Sequence, residues 1–133
     1  MIGLFLALAL AASDTEAAHF GPCTAAARVT CVVDGDTFWY RGAKIRVADI
    51  NTPETHQPAC PREAALGHAA AARLAELLNA GPFTLAPWPE RDRDRYGRLL
   101  RNVTRYGESL GDTLVREGLA EEWTGSRRSW CER

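Results

Sequence analysis

Residues 31–50, CVVDGDTFWYRGAKIRVADI, contain the pattern that decides the fold. Residues 28–33 are rich in β-branched side chains, and two further extended runs, 38–41 and 44–50, are separated by Gly42. Apolar runs of β-branched and aromatic residues that are broken by glycine predict strands joined by tight turns. The stretch therefore predicts three consecutive strands, the last two of which form a hairpin.

The region after this hairpin predicts two helices. Pro61 suits the first position of a helix, where no backbone N–H is needed, and Gly81 ends the helix. Ser109 and Asp112 resemble a capping box at the start of a second helix, which Gly118 closes. The apolar residues that fall on one face of the first helix are Leu66, Ala70, Leu74, Leu77 and Leu78.

Two more strands are predicted at residues 83–86 and 99–105, so the element order is β-β-β-α-β-β-α. A parallel sheet would need a helix between most pairs of strands, and those helices are missing. We therefore predict an α+β fold that is mainly β: a five-stranded Greek-key barrel of the OB type with two to three helices.

The composition of the chain is that of one globular domain. The chain has 133 residues, of which 46% are hydrophobic and 25% charged, and its net charge is −1. A net charge near zero gives no overall attraction to nucleic acid or to acidic membranes, so a polyanionic partner would need a local basic patch. We expect a single domain over residues 21–133 that acts as a monomer.

The N-terminus resembles a secretory signal. Residues 2–12, IGLFLALALAA, are apolar and too short to span a bilayer, and small residues surround Leu10. No Lys or Arg precedes them, and the alternatives are an apolar N-terminus without a targeting role or a misassigned start. We expect residues 1–20 to be a signal peptide and a polar leader. The protein would then be secreted or periplasmic, and free of the membrane once the signal is removed.

Four cysteines are the number needed for two disulfides in an oxidising compartment. Three pairings are possible, and we favour Cys23–Cys31 together with Cys60–Cys131. The second pair would close a loop of about 70 residues, which chain-entropy arguments value at about 4 kcal/mol. A zinc site is the alternative, disfavoured because the chain has no C-x-x-C motif and no nearby histidine pair.

Asp34 and Asp36 enter the hairpin with only a glycine between them. Two carboxylates on one face of an extended chain repel each other unless a cation lies nearby, and hard oxygen ligands suit Ca²⁺ or Mg²⁺. The alternative is an ordinary turn with solvated aspartates.

Two further clusters contain residues that suit phosphate chemistry. Arg46 lies inside an apolar strand, and Glu54 follows a rigid Thr-Pro pair. Arg98 stands where an Arg- and Asp-rich loop becomes a strand, and its guanidinium suits bidentate contact with phosphate, while Tyr96 offers a flat face to a base. The alternatives are a structural pairing of Arg46 with Asp49 or Glu54, and a loop whose charges neutralise one another.

Three motifs, VVDGDTF, IRVADINTPE and DRYGRLL, followed by LVREGLA, closely resemble the staphylococcal nuclease (thermonuclease) family. The resemblance runs from about residue 29 to residue 123. It implies an OB-fold barrel with helices and a Ca²⁺-dependent cleavage of DNA and RNA phosphodiesters that leaves 3′-phosphate ends.

The motif positions imply roles for individual residues. Asp36 matches the family's first calcium aspartate, and Thr52 matches the residue that binds calcium through its backbone carbonyl. Arg46 and Arg98 match the two phosphate-binding arginines, and Glu54 matches the glutamate assigned to the nucleophilic water. The two positions that match the lining of the nucleotide pocket are Arg95 and Tyr96.

The sequence departs from the family at its second calcium aspartate, which is Asn51 here. An amide keeps an oxygen ligand but loses one negative charge, which weakens calcium binding. Asp49, two residues earlier, is a candidate to compensate. The C-terminal region is also short, and we interpret the Cys60–Cys131 pair as a mechanical substitute for the family's final helix.

The resemblance and the clusters together favour a secreted, Ca²⁺-dependent nuclease acting on DNA and RNA with low sequence specificity. The alternative is an OB-fold module that binds single-stranded nucleic acid without cleaving it. A structural domain stapled by disulfides would explain the cysteines but would leave Arg46 and Glu54 without a purpose.

Overall fold

The computed structural model describes residues 3, 13–24 and 28–132, and the long elements follow the sequence closely. The strands are β1 (Gly21–Pro22), β2 (Cys31–Asp34), β3 (Thr37–Tyr40), β4 (Ala43–Val47), β5 (Ile50–Asn51), β6 (Thr84–Pro87), β7 (Leu99–Arg105), β8 (Glu108–Ser109) and β9 (Glu121–Glu122). The helices are α1 (Pro61–Asn79) and α2 (Leu110–Arg116).

The predicted hairpin is formed by β3 and β4, whose last and first residues, Tyr40 and Ala43, lie opposite each other. Its two-residue turn, Arg41 and Gly42, has φ values of 50° and 83°. Positive φ at both central positions defines the turn whose twist matches that of the strands. The glycine that separates the two patterns in sequence is therefore the second residue of a tight turn.

The sheet order is β1-β2-β3-β4-β7-β6, with β8 on β7 and with β5 and β9 in a separate two-stranded sheet. Strands β4 and β7 run parallel, whereas β2–β3, β3–β4 and β6–β7 are antiparallel. This mixed sheet with two helices confirms the predicted OB-type α+β fold. The two-residue strands β1, β5, β8 and β9 were not predicted, because two residues are too few to show a period.

Residues 14–20, which the sequence places ahead of the domain, pack onto the barrel. The backbone of Glu16 exchanges two hydrogen bonds with Phe83, of 2.8 and 2.9 Å, just before β6. Phe20 enters the core, and β1 immediately after it pairs with β2. The segment thus spans the gap between β6 and β2. The predicted signal region 2–12 lies outside the described residues except for Gly3.

Helix α1 covers one side of the barrel through the apolar face predicted for it. Its side chains that are most deeply buried are Ala70, Leu74, Leu77 and Leu78. Cys60 caps its N-terminus, because its sulfur accepts a hydrogen bond of 3.4 Å from the Glu63 N–H. No helix in the described residues is long and apolar enough to cross a membrane.

Two glycines allow the site-bearing loops to approach α1. A Cβ on Gly67, in the middle of the helix, would lie 2.8 Å from the carbonyl oxygen of Glu54. A Cβ on Gly35 would lie 2.7 Å from the Cβ of Ala70 and 2.9 Å from a methyl group of Thr52. The glycine that weakens the helix on propensity grounds is therefore needed for close packing.

Both disulfides favoured by the sequence are present in the structure. Cys23 is bonded to Cys31, which links β1 to β2, and Cys60 is bonded to Cys131. The second bond ties the C-terminal segment, which has no helix or strand after β9, to the start of α1. No free cysteine remains.

Candidate active site

Asp36 lies in the turn between β2 and β3 and is 6% exposed. Its Oδ1 accepts a hydrogen bond of 3.0 Å from the Thr37 hydroxyl, and its Oδ2 accepts one of 3.2 Å from the backbone N–H of Thr52. The Nη1 of Arg46 is 3.7 Å from the same Oδ2. The fold thus brings Asp36, Arg46 and Thr52 together.

Asp34 forms a carboxyl pair with Asp36. Burial raises the pKa of Asp34 to about 8, and the adjacent Asp36 charge adds to the shift. Burial also raises the pKa of Asp36, but the charge of Arg46 and hydrogen bonds from Asp34 and Thr37 outweigh it, so the pKa of Asp36 is lowered. At neutral pH Asp36 is therefore ionised, and Asp34 holds a proton that a bound cation would displace.

This pair predicts a pH-dependent stability of the calcium-free protein. Because the pKa of Asp34 is raised on folding from 3.8 to about 8, its stabilising contribution is complete below about pH 4 and is lost as the pH rises to about 8. We expect Asp34→Asn to abolish that loss. Relative to the wild type, its free energy of unfolding should rise by on the order of 1 kcal/mol or more over that range.

The measurement is urea unfolding of both proteins in chelator at several pH values. Parallel stability curves for Asp34→Asn and the wild type would contradict the assignment of the proton to Asp34.

Asn51 lies on β5 and is 1% exposed. Its Nδ2 donates a hydrogen bond of 3.3 Å to Oε1 of Glu121, which faces it across the β5–β9 pair. Its Oδ1 is buried and has no hydrogen-bond partner among the described residues. A buried amide oxygen left without a donor is costly, and it is a ligand that a hard cation can use.

The oxygen-bearing groups of this region suit a hard cation and carry few negative charges. The carboxyl group of Asp34 accepts from the backbone of Asp36, and the backbone N–H of Thr52 donates to the Asp36 carboxylate. Asn51, the residue before Thr52, has a buried amide oxygen without a hydrogen-bond partner among the described residues. Within residues 13–24 and 28–132 no three His, Cys, Asp or Glu side chains are grouped as a metal site, so neutral oxygens would complete the coordination. This donor set suits Ca²⁺ better than a transition metal.

Asp49 does not compensate for Asn51. Its Oδ2 accepts a hydrogen bond of 2.6 Å from the hydroxyl of Ser109, the N-cap of α2, and its backbone carbonyl accepts one from the N–H of Trp123. Asp49 therefore anchors α2 and β9 to the barrel. Its Oδ1 is buried without a hydrogen-bond partner among the described residues and lies against Gly111 of α2, so both carboxylate oxygens face that helix. The sequence left open whether Asp49 supplies the missing charge, and these contacts favour a structural role.

Arg46 is held by the backbone of its own turn. Its Nη1 donates hydrogen bonds of 2.5 and 2.9 Å to the carbonyls of Val47 and Ile50, and its guanidinium lies 5.7 Å from the ring centroid of Trp123. Its ion pair is with Asp36 and not, as the structural alternative proposed, with Asp49 or Glu54. These contacts orient the guanidinium beside the carboxyl pair.

Arg98 is oriented by a turn that Asp94 organises. Asp94 accepts hydrogen bonds from the backbone N–H groups of Tyr96 and Arg98, and from the Nε of Arg98 at 2.6 Å. Burial raises the pKa of Asp94, but these Arg98 contacts outweigh it and the pKa is lowered. Arg98 also donates a bond of 3.4 Å to Thr37, while Arg95 and Tyr96 contact each other on the exposed side of the turn.

Glu54 lies between β5 and α1, and its side chain is 33% exposed. Its backbone N–H donates to the carboxylate of Glu63 in the first turn of α1 at 3.4 Å, which fixes the loop. Its own carboxylate forms an ion pair with Arg127, from the segment after β9. The carboxylate is therefore accessible and held by a cation.

Several of the predicted residues line one open groove of about 440 Å³, which we call the arginine groove. Parallel pairing of β4 and β7 brings it together, because Arg46 lies opposite Leu100, two residues after Arg98. Among the described residues its acidic side chains are Glu90 and Asp94, and its five arginines are Arg46, Arg91, Arg95, Arg98 and Arg127. A chain of net charge −1 thus contains a local basic surface.

Three residues of this region were not predicted as site residues from the sequence: Glu121, Trp123 and Arg127. They lie on β9 or in the irregular segment after it, where no periodicity marks a face. The available signal was indirect, since Cys131 in the same segment pairs with a cysteine close to Glu54.

Comparison with known proteins agrees with this architecture. The chain is 41% identical over 93 residues to "Endonuclease YncB" of Bacillus subtilis (strain 168), a match that covers 66% of this chain and 43% of the relative. It is 42% identical over 93 residues to "SPbeta prophage-derived endonuclease YokF" of the same organism, covering 66% of this chain and 31% of that relative. The chain thus matches less than half the length of either relative.

A family model for "Staphylococcal nuclease homologue" matches residues 44–131. The matched region contains Arg46, Glu54, Arg98 and Arg127, and it begins after Asp36. It covers more than half of the chain and most of the barrel described above. The chain therefore belongs to the staphylococcal nuclease homologue family.

Proposed function

We propose that this domain is a calcium-dependent nuclease that hydrolyses phosphodiester bonds of DNA and RNA with low sequence specificity. The observation that carries the proposal is the shared groove of Arg46 and Arg98, with Arg46 also 3.7 Å from the Asp36 carboxylate. Phosphate-binding cations thus adjoin oxygen donors that suit a divalent ion. The endonuclease names of both relatives support the same activity.

The residues divide the chemistry between them. Asp36, Asn51 and the Thr52 carbonyl would hold Ca²⁺, which when bound would supply polarisation of a phosphoryl oxygen. Arg46 and Arg98 donate hydrogen bonds to the non-bridging oxygens, whose negative charge grows in the transition state. Glu54 orients the attacking water and accepts its proton. As the water oxygen bonds to phosphorus, the bond from phosphorus to the leaving oxygen breaks, and solvent supplies a proton to that oxygen.

The groove also supports binding of a flexible strand of either nucleic acid. Tyr96 is 68% exposed and Trp123 is 40% exposed, and both line the groove beside the arginines. Aromatic faces stack on any base, and arginines bind backbone phosphates, so neither contact depends on sequence. Arg95, whose guanidinium lies 4.7 Å from the ring centroid of Tyr96, adds a cation to the groove lining.

We further propose that the protein is exported and acts outside the cytoplasm as a monomer. The two disulfides support an oxidising compartment. Asp14 accepts hydrogen bonds from Thr84 and from the backbone of Tyr106, so a signal peptide would be removed before Asp14. The segment from Asp14 to Phe20 would remain in the mature protein.

The test is a calcium titration of the wild type beside Asn51→Asp. We expect cleavage of single-stranded DNA and RNA by the wild type that chelator abolishes. In Asn51→Asp the new carboxylate faces Glu121, so the variant should be less stable than the wild type in chelator. It should bind Ca²⁺ at least tenfold more tightly, because one negative charge is restored.

Calcium affinity is measured by calorimetry and stability by thermal unfolding, so neither depends on turnover. Binding of oligonucleotides without any calcium-dependent cleavage would favour the non-catalytic module. Equal calcium affinity in the wild type and Asn51→Asp would show that residue 51 does not coordinate the ion.

A further inference from the structure

Among the described residues, Arg127 is the one groove arginine that comes from the C-terminal segment after β9. Its Nη1 donates to Oε1 of Glu54, and its side chain is 55% exposed. It lines the same groove as Arg46 and Arg98, which is the surface on which a phosphate would lie. Arg127 thus contacts the residue assigned to the water and shares the surface assigned to the substrate.

An exposed ion pair does not hold an irregular segment in place by itself, since such pairs contribute roughly 0–1 kcal/mol. The Cys60–Cys131 disulfide supplies the constraint. Cys60 is six residues after Glu54, and Cys131 is four residues after Arg127, so one covalent bond restrains both partners of the ion pair. Trp130, beside Cys131, is 4% exposed, so a buried side chain also anchors the segment.

The positive charge of Arg127 reduces the repulsion between Glu54 and the substrate. Glu54 must lie beside a phosphodiester anion, and two negative groups at close range repel each other. A guanidinium that donates to Glu54 offsets this repulsion and restricts the rotamers of the carboxylate. It also offers a third arginine to the backbone of the nucleic acid.

We propose that Arg127 is a positioning residue for Glu54 and a third phosphate contact, and that the Cys60–Cys131 disulfide holds it in the groove. The oxidised protein is then the fully active form. This inference rests on the proposed nuclease function, which it extends from the barrel to the C-terminal segment.

The first test compares Arg127→Ala with Arg127→Lys and with Arg128→Ala, an exposed neighbour that does not line the groove. We expect Arg127→Ala to lower kcat at least tenfold, and Arg127→Lys to recover part of that loss, because it keeps the charge but not the planar fork. Arg128→Ala should stay within about twofold of the wild type. Unchanged kcat in Arg127→Ala, or a rise in kcat, overturns the proposal.

A double-mutant cycle separates positioning from general stabilisation. In the Glu54→Gln background, Arg127→Ala should lower kcat by less than about twofold, since the group that it positions is absent. An undiminished tenfold effect there shows that Arg127 does not act through Glu54. Thermal unfolding of each variant identifies any loss that comes from an unfolded fraction.

The role of the Cys60–Cys131 disulfide is tested with Cys60→Ser combined with Cys131→Ser. This pair should lower kcat about as much as Arg127→Ala does, and the two changes together should cost little more than either alone. If the serine variant does not fold, a two-glycine insertion after Arg128 loosens the same segment with both disulfides intact, and the same loss is expected. If the losses in kcat caused by the serine pair and by Arg127→Ala are additive, the disulfide does not act by holding Arg127.

Binding of a fluorescent single-stranded oligonucleotide is measured in chelator, so that the phosphate contact of Arg127 is tested independently of cleavage. Arg127→Ala should weaken binding and reduce the slope of log affinity against log salt by about 0.7, the value for one lost phosphate contact on a single strand. If the wild type does not cleave but this change is seen, the nuclease proposal fails while the phosphate contact stands. If neither the affinity nor the slope changes, Arg127 does not contact a phosphate.

Discussion

Glu54→Gln is expected to lower kcat at least a hundredfold while leaving the fold intact. The amide has the size of the carboxylate but cannot accept a proton from water, and general base catalysis is worth about 10²–10⁴ in rate. Glu54 is a third exposed and lies outside the hydrophobic core, so its loss should change the free energy of unfolding little. The measurement is initial cleavage rate at saturating single-stranded DNA with Ca²⁺ present.

Arg98→Ala should cause a loss of the same size for a different reason. Its guanidinium, which Asp94 orients, stabilises charge that is greatest in the transition state, and removing one such donor costs about 10²–10³ in kcat. The matched control is Arg105→Ala, at the far end of β7, where the arginine donates to the carbonyls of Gly81 and Pro82. Rates near wild type for both Glu54→Gln and Arg98→Ala would end the mechanism proposed here.

Phe20→Ala is expected to destabilise the protein by about 3–5 kcal/mol, the cost of truncating a buried phenylalanine. Phe20 is 2% exposed, and its ring centroid lies 5.7 Å from that of Phe38 and 6.0 Å from those of Tyr40 and Phe83. It therefore fills the core at the gap between β6 and β2. The expected loss is a large share of the roughly 5–15 kcal/mol that stabilises a typical domain.

The measurement for Phe20 is urea unfolding with both disulfides intact. His19→Ala is the control, because His19 precedes Phe20 in the same segment but is exposed, and its removal should cost less than about 0.5 kcal/mol. Equal stability of the two variants would show that residues 14–20 do not complete the core. The more conservative Phe20→Leu should fall between the wild type and Phe20→Ala.

The core of the barrel could be predicted because its signals are local. Alternating apolar residues around Gly42, a proline at the start of α1 and a capping serine before α2 each act within a few residues, where chain geometry is set by short-range sterics and hydrogen bonds. Asp36, Arg46 and Arg98 could also be named in advance, through the resemblance of their motifs to a known family. The parallel pairing of β4 with β7, which no local signal defines, brings Arg46 and Arg98 together.

The roles of Phe20, Glu121 and Arg127 could not be predicted in this way. Each lies in a short or irregular segment, and each acquires its partner across a large separation in sequence: Phe83, Asn51 and Glu54 respectively. Asp49 shows that closeness in sequence does not ensure contact. It lies two residues from Asn51, but its carboxylate contacts Ser109.

The sequence alone therefore determined the order of the long elements, the hairpin, the two helices and the residue types needed for phosphate chemistry. Tertiary structure decided which segment completes the barrel, which carboxylate faces Asn51 and which cation holds Glu54. The physical reason is that propensity and periodicity act over a few residues. Burial and pairing of charges depend instead on which distant segments the folded chain brings into contact.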